Sequence, residues 1–366
     1  MKPTEELYRS GQSLWLDNIT RDLLTEGTLK RYIRDFSVRG LTSNPTIFDQ
    51  AIRKGAAYDS AIRQLLAAGH SGERLFFELA LQDLTAAADL FRELHERSSG
   101  VDGWVSLEVS PLLARDARTT LAEARDLHAR ACRPNLYIKI PGTAESLPAI
   151  EEAIFAGVPI NVTLLFSPAQ YLAAAEAYLR GVERRIEAGL NPNVGSVASV
   201  FISRWDVAVS SRVPSQLINT LGIAIGRSCY RAYAALLSSS RWRRALNAGA
   251  RPQRLLFAST GTKDPKAPDI LYVKGLNAPL TVNTVPEKTL QAFHDHGVLD
   301  PDWSADAAAG EAELSAFRAA NIDLAALATK LQDEGAASFV SSWNDLLKVI
   351  DKKTESFGAR PHAVAH

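Results

Sequence analysis

The sequence predicts an α/β protein: a (β/α)8 TIM barrel with additional helices, including a C-terminal helix. Three observations lead to this prediction. Eight short apolar runs recur along the chain, each bounded by Gly, Pro, Asn or Ser, which is typical of strands. Stretches with helical spacing separate the runs, which favours a parallel sheet, and eight strands suffice to close a barrel. No glycine-rich turn follows the first run, so an open doubly wound sheet is the less favoured alternative.

Each of the eight runs is four to eight residues long, and the last is the weakest. The expected strands are 14–18, 40–44, 104–109, 136–140, 160–166, 197–203, 254–259 and 280–283. Helical spacing is clearest at 112–131 and at 168–186. In the second of these helices, Ser167 is expected as the N-cap and Pro168 in the first turn.

A single catalytic domain is expected over residues 1–357, since no low-complexity linker divides the chain. A helical insertion is expected at 45–100, between the second and third strands. A helical extension at 286–356 follows the eighth strand, and its last part, 337–356, has the apolar spacing of an amphipathic helix. Residues 358–366 are expected to form a disordered tail.

Composition narrows the class of protein. The chain has 366 residues, of which 46% are hydrophobic, so a large core can form. Lys plus Arg and Asp plus Glu both number 41, and this balance argues against a nucleic-acid binder. No apolar run is long enough for a membrane helix, and the polar start does not resemble a signal peptide, so we expect a cytoplasmic protein with no membrane partner. The two cysteines, Cys132 and Cys229, form no CxxC pair, which excludes a disulfide framework or zinc ribbon.

Lys139 is the sharpest candidate for chemistry. It lies within Leu-Tyr-Ile-Lys-Ile-Pro, flanked on both sides by apolar residues of an expected strand. A lysine amine held away from water is more readily neutral, and it can then form a Schiff base with a carbonyl. The alternative is a lysine that extends from a strand end to solvent. Lys274 is a rival, but it lies in the expected last turn of a short helix, where a cation is favoured for structural reasons.

Two carboxylates, Asp17 and Glu108, also lie in apolar strands. Carboxylates that share a pocket with a lysine can move protons, because each changes the proton affinity of the others. The alternative is an internal salt bridge that only holds the barrel together. The uncharged candidates at strand ends are Asn18, Asn44, Asn161, Thr163 and Ser199. Each could instead be structural, and Asn44-Pro45 could simply begin a helix.

Two cations follow late strands. Arg204 comes after the sixth strand, and Lys263 follows a Thr-Gly-Thr loop after the seventh. A guanidinium and an ammonium near a barrel mouth suit a phosphate group. The alternative for each is a surface ion pair, with Asp206 as the nearest partner in sequence for Arg204. None of the seven histidines lies in the first seven strands, so no metal site is expected there.

Taken in order, several segments resemble the transaldolase family. They are Leu-Thr-Ser-Asn-Pro-Thr-Ile at 41–47, Tyr-Ile-Lys-Ile-Pro-Gly-Thr at 137–143, Ile-Asn-Val-Thr-Leu-Leu-Phe-Ser at 160–167, Ala-Ser-Thr-Gly-Thr-Lys at 258–263 and Thr-Val-Asn-Thr-Val-Pro at 281–286. The similarity is closest to the longer bacterial type. It implies an α/β barrel enzyme of the pentose phosphate pathway with no metal or organic cofactor. Sugar phosphates would be its partners, and the resemblance leaves a homo-oligomer open.

The resemblance also implies roles for individual residues. Lys139 would form the Schiff base, Asp17 would be the first-strand acid–base group, and Glu108 would relay protons through a water held by Thr163. Substrate would be bound by Asn44, Asn161, Ser199, Phe201 and Arg204. Lys263 stands where shorter relatives carry a phosphate-binding arginine. Ser199 and Arg204 would together reach the phosphate.

The implied reaction moves a dihydroxyacetone unit from sedoheptulose 7-phosphate to glyceraldehyde 3-phosphate, giving erythrose 4-phosphate and fructose 6-phosphate. Two alternatives stay open. One is a fructose-6-phosphate-type aldolase, in which water takes the three-carbon unit instead of an acceptor sugar. The other is a barrel that binds sugar phosphates without turning them over.

Overall fold

Eight parallel strands form a closed barrel in the computed structural model, which describes residues 1–300 and 307–357. The strands are β1 Gln12–Asp17, β2 Val38–Thr42, β3 Trp104–Glu108, β4 Leu136–Pro141, β5 Ile160–Leu165, β6 Ser196–Phe201, β7 Gln253–Ala258 and β8 Thr281–Val285. Each strand pairs with the next in sequence, and β8 closes the barrel by pairing with β1. All eight predicted strands are confirmed to within two residues at each end. The tail expected at 358–366 lies outside the described residues.

Helices surround the barrel. In the described residues they are α1 Pro3–Arg9, α2 Arg21–Thr25, α3 Thr28–Asp35, α4 Pro45–Lys54, α5 Asp59–Ala67, α6 Gly72–Arg97, α7 Ala117–Ala131, α8 Leu147–Phe155, α9 Pro168–Glu187, α10 Ser203–Val209, α11 Leu221–Ser238, α12 Ser240–Asn247, α13 Leu271–Gly275, α14 Glu287–His296, α15 Ala307–Ala319 and α16 Leu324–Ser356. The segment 45–100 thus contains α4 to α6, and α14 to α16 follow β8. No helix within these ranges has both the length and the apolar character needed to cross a bilayer.

Two predicted helix starts are wrong. The helix expected from residue 112 begins at Ala117, because Pro111–Leu113 forms a separate 3-10 turn and Asp116 caps the helix by accepting from Thr119 N. The last helix begins at Leu324, not at 337, and Asp323 caps it. By contrast, the start of α9 is confirmed, with the Ser167 hydroxyl accepting from Gln170 N.

Aromatic rings fill the barrel interior. Trp15 of β1 stacks on Tyr137 of β4 with ring centroids 6.1 Å apart, and Tyr137 stacks on Trp104 of β3 at 4.0 Å. β1 and β4 are not neighbours in the sheet, so these rings meet inside the barrel. Gly40 of β2 makes the space, since a Cβ there would lie 2.5 Å from the Trp15 ring. Because side chains alternate along a strand, Lys139, two residues after Tyr137, also points inward.

The amino-terminal end of the barrel is held together by two arginines. Arg254 donates to Asp102 Oδ1 at 3.2 Å, to Ser13 Oγ at 2.7 Å and to the backbone oxygen of Thr281 at 2.7 Å. Arg251 donates to the backbone oxygens of Gly100 and Ser99 and to Asn193. These contacts join the first residues of β1 and β8 to the segments that precede β3 and β6. A cavity of about 520 Å³ lies beside them.

The long helix α16 crosses the opposite end of the barrel. Trp343 packs edge-on against Phe76 of α6 at 5.0 Å, and Lys353 pairs with Asp59 of α5. Nearer the barrel axis, the Gln332 amide donates to the backbone oxygens of Gly142, at 3.1 Å, and Leu164, at 2.9 Å. Helix α16 therefore covers the carboxyl ends of β4 and β5.

Candidate active site

A cavity of about 350 Å³ opens at the carboxyl ends of the strands, under α16. In a (β/α)8 barrel this is the end that carries the active site. Nine of the ten residues predicted for the site line this cavity: Asp17, Asn44, Lys139, Asn161, Thr163, Ser199, Phe201, Arg204 and Lys263. The tenth, Glu108, is buried beside Lys139.

Lys139 is buried, with only 6% of its surface exposed, so the alternative of a lysine reaching solvent is wrong. Its amine donates to Glu108 Oε2 at 3.1 Å and to the backbone oxygen of Ser43 at 2.9 Å. Register on β3 and β4 explains the first contact, because Glu108 and Lys139 are paired positions on adjacent strands. An amine with these partners and one face toward a cavity is placed to attack a carbonyl. The rival Lys274 is exposed in the last turn of α13.

Asp17 ends β1, and its carboxylate accepts a hydrogen bond from the Thr42 hydroxyl at 2.8 Å. Thr42 in turn contacts Thr284 of β8, so neighbours on both sides orient the carboxylate. Burial raises the pKa of Asp17 above its ordinary value, while the nearby Lys139 charge works in the opposite direction. A raised pKa suits a group that must both take up and release a proton.

Burial also raises the pKa of Glu108, the charge of Asp17 raises it further, and Lys139 opposes both effects. Only one of its oxygens is used, since Oε1 is buried and has no hydrogen-bond partner among the described residues. The Thr163 hydroxyl is also buried without a hydrogen-bond partner among these residues. Leaving a buried polar atom unpaired costs about 1–3 kcal/mol, so both atoms are suited to a ligand or water brought by the reaction.

The amides behave differently from one another. Asn44 caps α4, its side-chain oxygen accepting from Ile47 N at 3.0 Å, so the expected structural role is present alongside a place in the cavity wall. Asn161 is fully buried; its amide donates to Ser106 Oγ at 3.2 Å, and its oxygen accepts from the Ser199 hydroxyl at 2.7 Å. The single donor of Ser199 is therefore used by Asn161, which makes Ser199 a poor candidate for the phosphate contact expected from the resemblance.

Arg204 lies at the start of α10, and its guanidinium has no hydrogen bond or ion pair with any described residue. Its guanidinium carbon lies 5.1 Å from the centre of the Phe201 ring, and burial lowers its pKa. The alternative pairing with Asp206 is wrong. Asp206 instead accepts from the backbone of Leu221 and Gly222 and from the Tyr272 hydroxyl. A half-buried cation that faces a cavity and has no direct ion pair or hydrogen bond among the described residues indicates an anionic ligand.

Lys263 is exposed at the rim of the same cavity and likewise makes no hydrogen bond or ion pair within the described part of the chain. Phe201 forms part of the apolar wall, together with Phe339 of α16, whose ring centre lies 6.0 Å from Lys139 Nζ and 6.5 Å from that of Phe201. The Lys139 amine thus contacts oxygens of Glu108 and Ser43 and lies near the Phe339 ring.

Sequence reasoning missed several members of the site. Thr42 and Thr284 orient Asp17, Ser43 accepts from Lys139, and Phe339 covers the amine. Thr42 and Ser43 lie in the segment 41–47 that carries the resemblance, so that segment was the available signal. Nothing in the sequence near Phe339 links it to residues two hundred positions away.

The arrangement combines a buried amine, two carboxyl groups of raised pKa and unpaired cations at one side of a cavity. It can form an imine with a carbonyl compound, move protons beside it, and hold an anionic group. Within the described ranges no cluster of three or more His, Cys, Asp or Glu residues could hold a metal ion.

Comparisons with known proteins agree with this chemistry. The sequence profile of the family "Transaldolase/Fructose-6-phosphate aldolase" matches residues 14–350. The transaldolase of Thermobifida fusca (strain YX) is 44% identical over 354 residues, covering 94% of this chain and 96% of the relative. That of Acidothermus cellulolyticus is 43% identical, covering 96% and 97%, and that of Thiobacillus denitrificans is 40% identical, covering 96% and 100%. The profile and the relatives match nearly the whole length of the chain, which therefore belongs to the transaldolase/fructose-6-phosphate aldolase family.

Proposed function

We propose that this protein is a transaldolase, which moves a dihydroxyacetone unit between phosphorylated sugars through a Schiff base on Lys139. The observation that carries the proposal is the Lys139 amine, buried at the cavity wall, hydrogen-bonded to Glu108 and covered by Phe339. Relatives named transaldolase at 40–44% identity over nearly full length support it.

The reaction begins when the neutral amine of Lys139 attacks the C2 ketone of a ketose phosphate. Glu108 is the nearest acceptor for the proton that the ammonium must lose, and its raised pKa makes it a better base than an ordinary carboxylate. The carbinolamine then loses its hydroxyl as water, leaving an iminium. We assign this dehydration to Glu108, acting through a water held by Thr163, because both side chains present an unpaired oxygen.

Carbon–carbon cleavage follows from the iminium charge. Asp17 takes the proton of the C4 hydroxyl, the C3–C4 electron pair moves toward the iminium nitrogen, and an aldose phosphate leaves. The remaining three-carbon unit stays on Lys139 as an enamine. An acceptor aldehyde enters, the enamine carbon attacks it, and Asp17 returns the proton to the new hydroxyl. Water then releases the product ketose, so the covalent tether divides one difficult step into easier ones.

The distal end of the substrate would be held by the cations. The unpaired guanidinium of Arg204 can accept a phosphate in both half-reactions, because donor and acceptor share that group. Lys263 would add a second charge at the rim. Asn44 keeps its amide hydrogens free for substrate hydroxyls after capping α4, whereas Ser199 acts by orienting Asn161.

The alternative within the family is aldolase activity, in which the enamine is protonated and the imine then hydrolysed. The aromatic cover from Phe201 and Phe339 favours transfer, since it limits the water that can reach the enamine. A barrel that only binds sugar phosphates would have no need of a buried amine between two carboxyl groups.

The test uses borohydride reduction in the presence of fructose 6-phosphate, followed by peptide mapping. We expect a reduced adduct on the peptide that contains Lys139, and none in Lys139→Met. Lys274→Met is the matched control, because it removes an exposed lysine that does not line the cavity. A coupled assay with and without erythrose 4-phosphate then separates transfer from simple cleavage. Adduct on another lysine, or no adduct at all, would refute the proposal.

A further inference from the structure

A glycine in the middle of α16 lies directly against the Arg204 guanidinium. A Cβ at Gly335 would be 3.1 Å from Arg204 Nη1 and 3.0 Å from Leu164 Cδ2. Contacts this short require the neighbour to move by a few tenths of an ångström. Gly335 is buried within a helix of 33 residues, where glycine is disfavoured relative to alanine by about 1 kcal/mol. Helix stability therefore does not explain the glycine, whereas the proximity of the guanidinium does.

The helix is fixed at this point, so it cannot simply move away. One turn before Gly335, the Gln332 amide donates to the backbone oxygens of Gly142 and Leu164, at the ends of β4 and β5. One turn after it, Phe339 is buried and covers Lys139. The spacing between α16 and the barrel is thus set on both sides of the glycine.

Leu164 is equally constrained. It is fully buried and adopts a left-handed backbone conformation, with φ of 60°, at an irregularity in β5. Its neighbour Thr163 faces the cavity. Of the atoms that crowd Gly335, the terminal guanidinium of Arg204 is the freest, since it has no hydrogen-bond partner among the described residues. An added methyl group would therefore displace Arg204 rather than the helix or the strand.

We infer that Gly335 is a positioning residue for substrate phosphate: the missing side chain leaves the space in which the Arg204 guanidinium is held against the cavity. This inference rests on the proposed function, in which Arg204 binds the phosphate. Glu334, the adjacent residue, acts on Arg204 electrostatically and is itself 3.7 Å from Lys330. The helix thus sets both the position and the electrostatic surroundings of the cation.

The test is Gly335→Ala, assayed with sedoheptulose 7-phosphate as donor and two acceptors. For glyceraldehyde 3-phosphate, we expect KM to rise roughly three- to tenfold, a partial loss of a charged hydrogen bond, with little change in kcat. For D-glyceraldehyde, which has no phosphate, KM should stay within about twofold of the wild type. Ala337→Ser is the matched control, since it adds one heavy atom at an exposed position of the same helix.

A double-mutant cycle gives the sharper readout. In an Arg204→Ala background, Gly335→Ala should have no further effect on the KM for glyceraldehyde 3-phosphate, because no guanidinium is left to displace. The same effect with and without Arg204, or an unchanged KM in the single variant, would overturn the inference. So would a fall of more than a few degrees in Tm for Gly335→Ala, which would mean that the helix or Leu164 yields instead. If the wild-type protein has the same KM for glyceraldehyde 3-phosphate and for D-glyceraldehyde, that result would instead count against the proposed function.

Discussion

The two ends of the barrel both carry arginines beside a cavity, yet they differ in how those arginines are satisfied. At the amino-terminal end, Arg251 and Arg254 donate to backbone oxygens and to Asn193, Ser13 and Asp102. At the carboxyl end, Arg204 and Lys263 have no such partners in the described residues. The cavity at the amino-terminal end is also the larger, about 520 Å³ against 350 Å³.

Cavity size and residue type therefore do not distinguish the functional end. Unpaired buried polar atoms occur at both ends, as at Gln12 Oε1 and Asn135 Oδ1. The pairing of the cations does distinguish them, because a partly buried charge without an ion pair or hydrogen bond indicates an anionic ligand. The carboxyl end has the unpaired guanidinium and the unpaired oxygens of Glu108 and Thr163. The amino-terminal end uses its arginines to hold segments together. Substitutions at the first end should reduce activity, and those at the second should reduce stability.

Lys139→Met gives the largest expected effect and tests this separation most strictly. Turnover should fall by several powers of ten, since the nucleophile is removed, and residual activity above about 1% would exclude Lys139 as the covalent residue. The fold should remain, because the raised pKa of Glu108 lets that carboxyl take a proton when its partner is lost. Circular dichroism and thermal unfolding would show whether activity and stability separate as expected.

Asp17→Ala should lower turnover by about 10²–10⁴-fold, the usual contribution of a general acid–base group. The Schiff base with fructose 6-phosphate should still form, so borohydride should trap a six-carbon adduct on Lys139. Glu108→Gln should instead slow the appearance of any adduct. Mass spectrometry of the trapped peptide decides between these roles, and a three-carbon adduct forming at the wild-type rate in Asp17→Ala would show that Asp17 is only a structural partner.

Arg204→Ala should reduce kcat/KM for phosphorylated substrates by roughly ten- to hundredfold, the worth of a charged hydrogen bond to phosphate. Its Tm should change little, because the guanidinium has no hydrogen bond or ion pair to lose within the described structure, only its contact with the Phe201 ring. An unchanged KM for erythrose 4-phosphate would indicate that Arg204 does not contact the phosphate.

Arg254→Ala is the counterpart at the other end. It leaves Asp102, whose side chain is only 2% exposed, without its charged partner. Removing one member of a buried ion pair costs about 3–5 kcal/mol, so the urea midpoint should fall clearly while KM for both substrates stays the same. A loss of activity in the still-folded variant would mean that the two ends are coupled.

Glu123→Gln has the smallest expected effect. It tests whether a residue near the carboxyl end of the barrel that already has a hydrogen-bond partner contributes to activity. Glu123 accepts from Ser110 N at 2.7 Å, just after β3, and burial raises its pKa from 4.5 to about 7. The folded state therefore binds the proton more tightly, and this contribution to stability is lost as pH rises from 4.5 toward 7. Glutamine does not ionise, so the Tm of the variant relative to wild type should increase over that range, with kcat unchanged.

The strands could be predicted from the sequence, and nine of the ten predicted site residues line the cavity, because most of them depend on local pattern; Phe201 came from the family resemblance. A short apolar run identifies a strand, and a polar residue within it identifies an inward position near the mouth. The charge partners were harder to predict. The backbone hydrogens of Leu221 and Gly222, not Arg204, satisfy Asp206, and Asn161 uses the donor of Ser199. Such pairings depend on how distant segments pack.

The start of α16 shows the same limit. Gly335 is unfavourable in a helix, and the predicted final helix starts two residues after it, at 337. Tertiary contacts override that preference: Gln332 is fixed by the ends of β4 and β5, and Leu327 and Leu331 are buried. The part outside the predicted range contains Gln332 and Gly335, which contact the ends of β4 and β5 and Arg204, whereas Phe339, in the predicted part, covers Lys139.

The place of α16 in the chain has a consequence for how the protein acquires activity during synthesis. All eight strands leave the ribosome before residues 324–356, so the barrel can close before α16 covers it. Until that segment arrives, Lys139 lacks the cover of Phe339, and the ends of β4 and β5 lack the amide of Gln332. In a nascent chain at that stage the Lys139 amine would thus be exposed to water, and the capacity for transfer would arise only when α16 has been translated.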